Sequence, residues 1–160
     1  MCIRDRFEGI FTPIVTPYFN DFSLNGNALA ETVEHLIAAG VHGIVVAGST
    51  GEYYAQDPEE RLEMMTRCAG LINGRVPIVI GTGAIRTEDS IMYAKAAKKA
   101  GANALLVATP PYAYPTGREI ALHALAVDRA ANLPVMLYNY PGRMSVDCLL
   151  YTSDAADDMQ

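Results

Sequence analysis

The sequence is poor in cysteine, in basic side chains and in long apolar runs. It holds three cysteines, Cys2, Cys68 and Cys148, in 160 residues. An odd, widely spaced set makes no disulfide framework, and no CxxC pair offers zinc ligands. Cys68 falls in a helical pattern, where a thiol packs as a small inert hydrophobe. Lysine and arginine number 12 against 18 aspartates and glutamates, a net charge of −6. That balance leaves no basic face to neutralise phosphates, so no nucleic-acid partner is expected. It also disfavours an anionic membrane surface. No apolar run approaches the roughly 20 residues of a spanning helix. The first residues lack the apolar stretch and cleavage site of a signal peptide. These absences predict a soluble, cytoplasmic protein. His35, His42 and His123 show no HxxxH spacing, so no metal site is assigned to them. The three lysines, Lys95, Lys98 and Lys99, share one stretch, AKAAKKAGA, which reads as a solvated helix end. A lysine that forms a Schiff base needs a desolvated setting that lowers its pKa, and none of these three suits it.

What is present is enough apolar residue, 51% by the broad count, for one well-packed core. Residues 1–6 (MCIRDR) and 148–160 (CLLYTSDAADDMQ) break the interior pattern and resemble translated sequencing-adapter read-through. They are set aside as non-native terminal sequence, leaving one domain over 7–147.

Within that interior, short β-branched runs alternate with helical patterns. Gly9–Pro17 reads as a first strand, with Pro13 tolerated near an edge or end. Asn27–Ala39 is helical and stops at Gly40. Gly43–Ala47 is a continuous apolar run, as a strand covered on both faces should be. Asp57-Pro58-Glu59-Glu60 gives an N-cap, a proline at the first helical position and acids at the positive helix end. The helix that follows carries Leu62, Met65, Ala69 and Ile72 at helical spacing. Val76–Gly81 is the third strand, and Thr87 is expected to cap the next helix, closed by Gly101. Ala104–Ala108 is the fourth strand. Thr116-Gly-Arg-Glu119 is a capping box, opening a helix with Ile120, Ala124, Val127 and Ala131 aligned. Pro134–Asn139 is the fifth strand.

The repeat of about 30 residues is that of a βαβ unit, which predicts an α/β protein with a parallel sheet. Two architectures fit. A five-stranded doubly wound sheet, a small-molecule-binding module, would be complete at this length. A TIM (β/α)8 barrel takes about 250 residues, so only its first four βα units and strand five would be present. The placement of polar residues separates them. A doubly wound nucleotide binder carries its glycine-rich turn after the first strand. Here that position reads Thr16-Pro-Tyr-Phe-Asn-Asp21, without glycine. Small polar residues follow later strands instead: Gly48-Ser49-Thr50-Gly51-Glu52, then Gly81-Thr82-Gly83, then Tyr138-Asn139-Tyr140-Pro141-Gly142-Arg143. Reactive residues at the C-terminal ends of several strands are the barrel pattern.

In GSTGE, glycines let the backbone approach a ligand and neighbouring N–H groups can face an anion. An ordinary βα turn would read the same way. Tyr138 ends a strand, where its phenol is either a satisfied core hydroxyl or a proton relay to a hydroxyl such as Ser49. Arg143, placed in a loop, offers a planar fork for a carboxylate or a plain surface charge. Tyr53 and Tyr54 would line a pocket mouth or cover the rim.

GSTGE, PIVIGTGAIRT, TPPYAYPT and LYNYPGR, in this order and spacing, resemble the dihydrodipicolinate synthase / N-acetylneuraminate lyase family across essentially all of 7–147. The resemblance implies a TIM barrel and a carbon–carbon or carbon–oxygen lyase that forms a Schiff base with pyruvate or a longer 2-oxo acid. It implies no metal or organic cofactor, and a homotetramer for the full-length parent. Its lysine would lie on strand six, absent from this chain. Catalytic roles then fall to Tyr138 as proton shuttle and to Ser49 and Tyr112 as its relay, Tyr112 reaching across a dimer interface. Thr50, with Gly48 and Gly51 shaping the turn, would bind the 2-oxo acid carboxylate, and Arg143 a distal carboxylate. Ser49 is the lyase-like form of its position. Pro111, Ala113, Tyr114 and Met144 also depart from the synthase pattern. A sugar-acid or N-acetylneuraminate-type aldolase or dehydratase is therefore an alternative to a 4-hydroxy-tetrahydrodipicolinate synthase-like enzyme. The chain alone is expected to be inactive.

Overall fold

Each run predicted as a strand contains one, most of them shorter than the run. The computed structural model describes residues 7–147. The terminal segments set aside above, with Cys2 and Cys148, lie outside the described residues. In chain order the elements are β1 (Phe11–Pro13), α1 (Gly26–Ala38), β2 (Gly43–Val46), α2 (Pro58–Ile72), β3 (Ile78–Gly81), α3 (Thr87–Ala100), β4 (Ala104–Ala108), α4 (Gly117–Ala131), β5 (Val135–Tyr138) and the single turn α5 (Pro141–Met144). Pro13 is the last residue of edge strand β1, where its missing N–H breaks no ladder.

All five strands are parallel, in the order β1-β2-β3-β4-β5. A doubly wound sheet must reverse its order at a switch point, and this one never does. Right-handed crossovers that always advance the same way put every helix on one side. Packing agrees. Ile44, Val46, Ile78, Ile80, Leu105 and Val107 share one core with Leu29, Val33, Met64, Ala97 and Val127 of the four long helices. Each Val, Leu, Ile or Met among them, removed from water, contributes about 1.5–3 kcal/mol. The alternate strand residues Val45, Val79 and Ala104 form a second cluster with Phe11, Leu106 and Met136 on the opposite face. This is the arc of a β/α barrel, and the doubly wound reading is set aside.

Local signals decide the helix ends. Asp57 and Thr116 each accept a hydrogen bond from the third helical N–H, while the Glu60 and Glu119 carboxylates each accept one from the cap residue's own N–H. Asp57→Ala and Thr116→Ala are each expected to cost about 1 kcal/mol, read as a lower urea midpoint at unchanged slope. Thr87 behaves differently. It is the first residue of α3, Arg86 holds the cap position, and no side chain caps the helix. The Thr87 hydroxyl is instead 3.0 Å from His123 Nδ1 on α4. A tertiary partner has outcompeted the local cap. Arg143 also differs from expectation: it lies in α5 rather than in a loop, because Pro141 pre-sets the first turn.

The buried face of α2 is Arg61, Met64, Met65, Cys68 and Ile72, while Leu62 and Ala69 are only partly covered. Cys68 is fully buried, and burial pushes its thiol up to about 12, as an inert packing residue requires. Lys95, Lys98 and Lys99 are exposed on α3, and Lys98 Nζ donates to the Ala131 carbonyl at the end of α4.

Candidate active site

The C-terminal strand ends gather most of the backbone strain. Non-glycine residues with positive φ include Ala47 (54°), Glu52 (57°), Tyr112 (71°), Tyr114 (47°) and Ser145 (54°), all in loops on this side. Asn73 and Asn132, the αL caps of α2 and α4, serve ordinary terminations at the other end. Residues held in this region cost of order 1–3 kcal/mol each and cluster where function requires them.

After β2 the chain turns at Ala47, passes extended Gly48, makes a 3-10 turn over Ser49–Gly51 and turns again at Glu52. The amides of Gly51 and Glu52 bond inside this turn, to the Gly48 and Ser49 carbonyls. The β1 exit clamps it. Thr16 Oγ1 donates to the Gly51 carbonyl at 2.8 Å, and Gln56 Nε2 donates to Thr16 Oγ1 at 3.2 Å and the Tyr18 hydroxyl at 3.1 Å. A Cβ on Gly51 would sit 3.0 Å from the Ile14 carbonyl oxygen, so glycine is what lets the two loops approach.

Behind the turn lies a residue that sequence reasoning missed. Arg61 is 2% exposed. Its Nη1 and Nη2 donate to the Gly83 and Gly81 carbonyls at 2.7 and 2.8 Å. Its guanidinium stacks between Tyr93 (4.0 Å) and Tyr53 (4.7 Å). Burial pulls its pKa down to about 10, opposed by the two phenols, so it stays protonated at neutral pH. Helical spacing carried a signal, since Arg61 sits one turn before Met65 and next to Met64 in projection. Arginine at such a position reads as surface by residue type alone.

Tyr53 links Arg61 to the strand-five residues. Burial pushes its phenol up; Arg61 and Arg143 oppose this, while Tyr138 and Tyr54 add to it. Tyr138 and Arg143 thus both lie within electrostatic reach of Tyr53. The Tyr138 and Tyr140 rings are 6.0 Å apart, and Arg143 lies 5.7 Å over Tyr140. Tyr54 is exposed on the rim. The structure brings Gly48, Ser49, Thr50, Gly51, Tyr138 and Arg143 to one end of the sheet. Tyr112 stands apart, 86% exposed at the tip of the β4–α4 loop.

His123 is buried, and burial pushes its imidazole below the ordinary value. The unfolded chain, titrating near 6.5, therefore binds more protons in the window between the two values. The stability from this group is full above that window and is lost as pH falls through it. The urea midpoint should decline as pH drops from about 7 towards the folded value, and less so in a His123→Phe variant. A slope equal in both would refute this. Asp21 is held low by the Ser23 hydroxyl, Glu34 by Arg75 and Glu119 by the Thr116 amide, so their contributions are lost only at more acidic pH.

An in-order parallel sheet with helices on one face and polar loops at its strand C-termini defines a member of the β/α-barrel class. Residues 6–154 match the model of the Dihydrodipicolinate synthetase family, and the chain belongs to that family. It is 41% identical over 143 residues to the 4-hydroxy-tetrahydrodipicolinate synthase of Chelativorans sp. (strain BNC1), covering 89% of this chain and 49% of the relative. Among solved structures it matches a chloride-inhibited dihydrodipicolinate synthase from Acinetobacter baumannii, complexed with pyruvate, at 39% identity and TM-score 0.84, covering 88% of this chain and 48% of that one. It also matches a prophage protein of the dihydrodipicolinic acid synthase family from E. coli, in complex with pyruvate, at 30% identity and TM-score 0.90, covering 96% and 52%. The chain spans about half the length of the relatives it matches.

Proposed function

We propose that residues 7–147 form a partial barrel domain carrying the first half of the active site of a lyase that takes pyruvate or a longer 2-oxo acid as substrate. The observation that carries this is the juxtaposition of the Gly48–Gly51 turn, Tyr138 and Arg143 at one sheet end, in a family with two matched members complexed with pyruvate. Thr50, on a turn whose later amides are already used internally, receives the carboxylate with the amides before them. Gly48 and Gly51 give that turn its shape. Tyr138 moves the proton, with Ser49 as its relay. Tyr112, exposed and held at positive φ, would meet a neighbouring copy in a homotetramer. Arg143 takes a second carboxylate, which favours a 4-hydroxy-tetrahydrodipicolinate synthase-like reaction over an N-acetylneuraminate or sugar-acid one. The Schiff-base lysine comes from a sixth strand, beyond the five that the described residues form, and the reaction needs no metal or organic cofactor. A cytoplasmic location suits this metabolite chemistry.

Borohydride trapping tests the reading. The 160-residue chain incubated with pyruvate should give no mass-shifted lysine. An in-frame fusion of 7–147 to the matching remainder of the Acinetobacter relative should give one, and Thr50→Ala should weaken it at limiting pyruvate. An adduct on Lys95, Lys98 or Lys99 of the chain alone would overturn the assignment. So would a folded fusion that traps nothing.

A further inference from the structure

We propose that Thr16 is a positioning residue for the 2-oxo acid carboxylate: its hydroxyl, aimed by Gln56, grips the Gly51 carbonyl and holds Thr50 where the carboxylate is received. The proposal rests on the reading that the Gly48–Gly51 turn binds that carboxylate. The turn closes on itself through the Gly51 and Glu52 amides. It is bracketed by Ala47 and Glu52, both at positive φ. Backbone in that region persists only where its surroundings over-determine it. Thr16, three residues beyond β1, supplies an outside hold, donating to the Gly51 carbonyl at 2.8 Å. The β1 exit is itself fixed to β2, since the Ile14 amide donates to the Val45 carbonyl at 3.0 Å.

Gln56 decides which way the Thr16 hydroxyl points. A hydroxyl has one proton to give and lone pairs to accept with. Gln56 Nε2 donates to Thr16 Oγ1 at 3.2 Å and to the Tyr18 hydroxyl at 3.1 Å, and it lies 3.5 Å from the Gly51 carbonyl oxygen. An amide oxygen in that place would face a carbonyl oxygen, so the nitrogen stands there. With the acceptor side of Thr16 taken by Gln56, its proton goes to Gly51. Gln56 stands one residue before Asp57, the capped start of α2. The start of that helix thus carries a polar chain, Gln56 to Thr16 to Gly51, which ends on the residue after Thr50.

Thr16→Val keeps the shape of the side chain and removes the hydroxyl. In solution NMR of the 160-residue chain without substrate, it should move the Thr50, Gly51 and Glu52 amide signals. Thr16→Ser should return them at least halfway. Signals that stay put in Thr16→Val, or that move equally in Thr16→Ser, overturn the proposal. In the in-frame fusion, Thr16→Val should raise the pyruvate concentration that half-saturates borohydride trapping about fivefold, the worth of one net hydrogen bond. The adduct formed at saturation should not change, and Thr16→Ser should half-saturate near the parent value. A half-saturation equal to the parent's overturns the proposal, and so does an adduct lowered in the same proportion at every concentration. Should Thr16→Val fail to fold, Gln56→Met decides: it should show a smaller rise in half-saturation, and no rise overturns the proposal. A parent fusion that traps nothing fails the pyruvate reading itself, and the positioning role falls with it. A parent that traps, beside variants that saturate as it does, fails the positioning role alone.

Discussion

Gly81→Ala is expected to destabilise the chain by about 3 kcal/mol, at the upper end of ordinary overpacking. The added Cβ would be driven into the Ala47 carbonyl. Neither side can yield cheaply. Ala47 already holds a φ of 54°, which fixes where its carbonyl points. Gly81 sits in the sheet, paired with Leu106 of β4, and its own carbonyl is gripped by Arg61. The contact is backbone against backbone, so no rotamer change relieves it. Gly43→Ala is the comparison. There the new Cβ meets the partly exposed Phe11 ring, which can swing aside, and the loss should be clearly smaller. Urea midpoints of the two variants decide the matter. Equal losses would mean that the β2–β3 contact is softer than its geometry implies.

Arg61→Met should cost a comparable amount, about 3 kcal/mol. Two charge-assisted hydrogen bonds disappear, and the Gly81 and Gly83 carbonyls lose their buried partner. Methionine fills much of the volume, so the loss reports bonds rather than a void. Arg61→Lys should fall between, because an ammonium on a flexible stem cannot bond both carbonyls in one plane or stack between two rings. An independent readout is available. Arg61 opposes the burial-driven rise of the Tyr53 phenol, so its removal should push Tyr53 higher still. Ultraviolet titration of the tyrosines in Arg61→Met against the parent chain measures that. A Tyr53 value that drops would refute the arrangement.

The fold was legible because its signals are short-range and redundant. Val45 and Val46 lie in a run that only a doubly covered strand explains, and Asp57 and Thr116 announce their helices within four residues. Strand order was less visible in periodicity, since a doubly wound sheet has the same rhythm. The absence of glycine between Thr16 and Asp21 tipped the balance, and the in-order sheet bears that out. Part of the site was legible for the same reason: GSTGE and Tyr138 follow strands directly. What stayed hidden was long-range. Nothing near Thr87 says that its hydroxyl will meet His123, 36 residues away, rather than cap its own helix. Nothing near Arg61 says that two carbonyls of another loop await it. Ala47 in a left-handed conformation is invisible in residue type, since alanine carries no preference for it.

The in-order sheet has a kinetic consequence. Every strand pairs with the one that precedes it in the chain, about 30 residues back, so each ring closure is short and of nearly equal entropy. Closures of that span, one for each parallel crossover, are slower than helix or hairpin contacts, but none is longer than the rest. During synthesis each unit from β2 to β5 emerges to find the strand on one of its two sides already made.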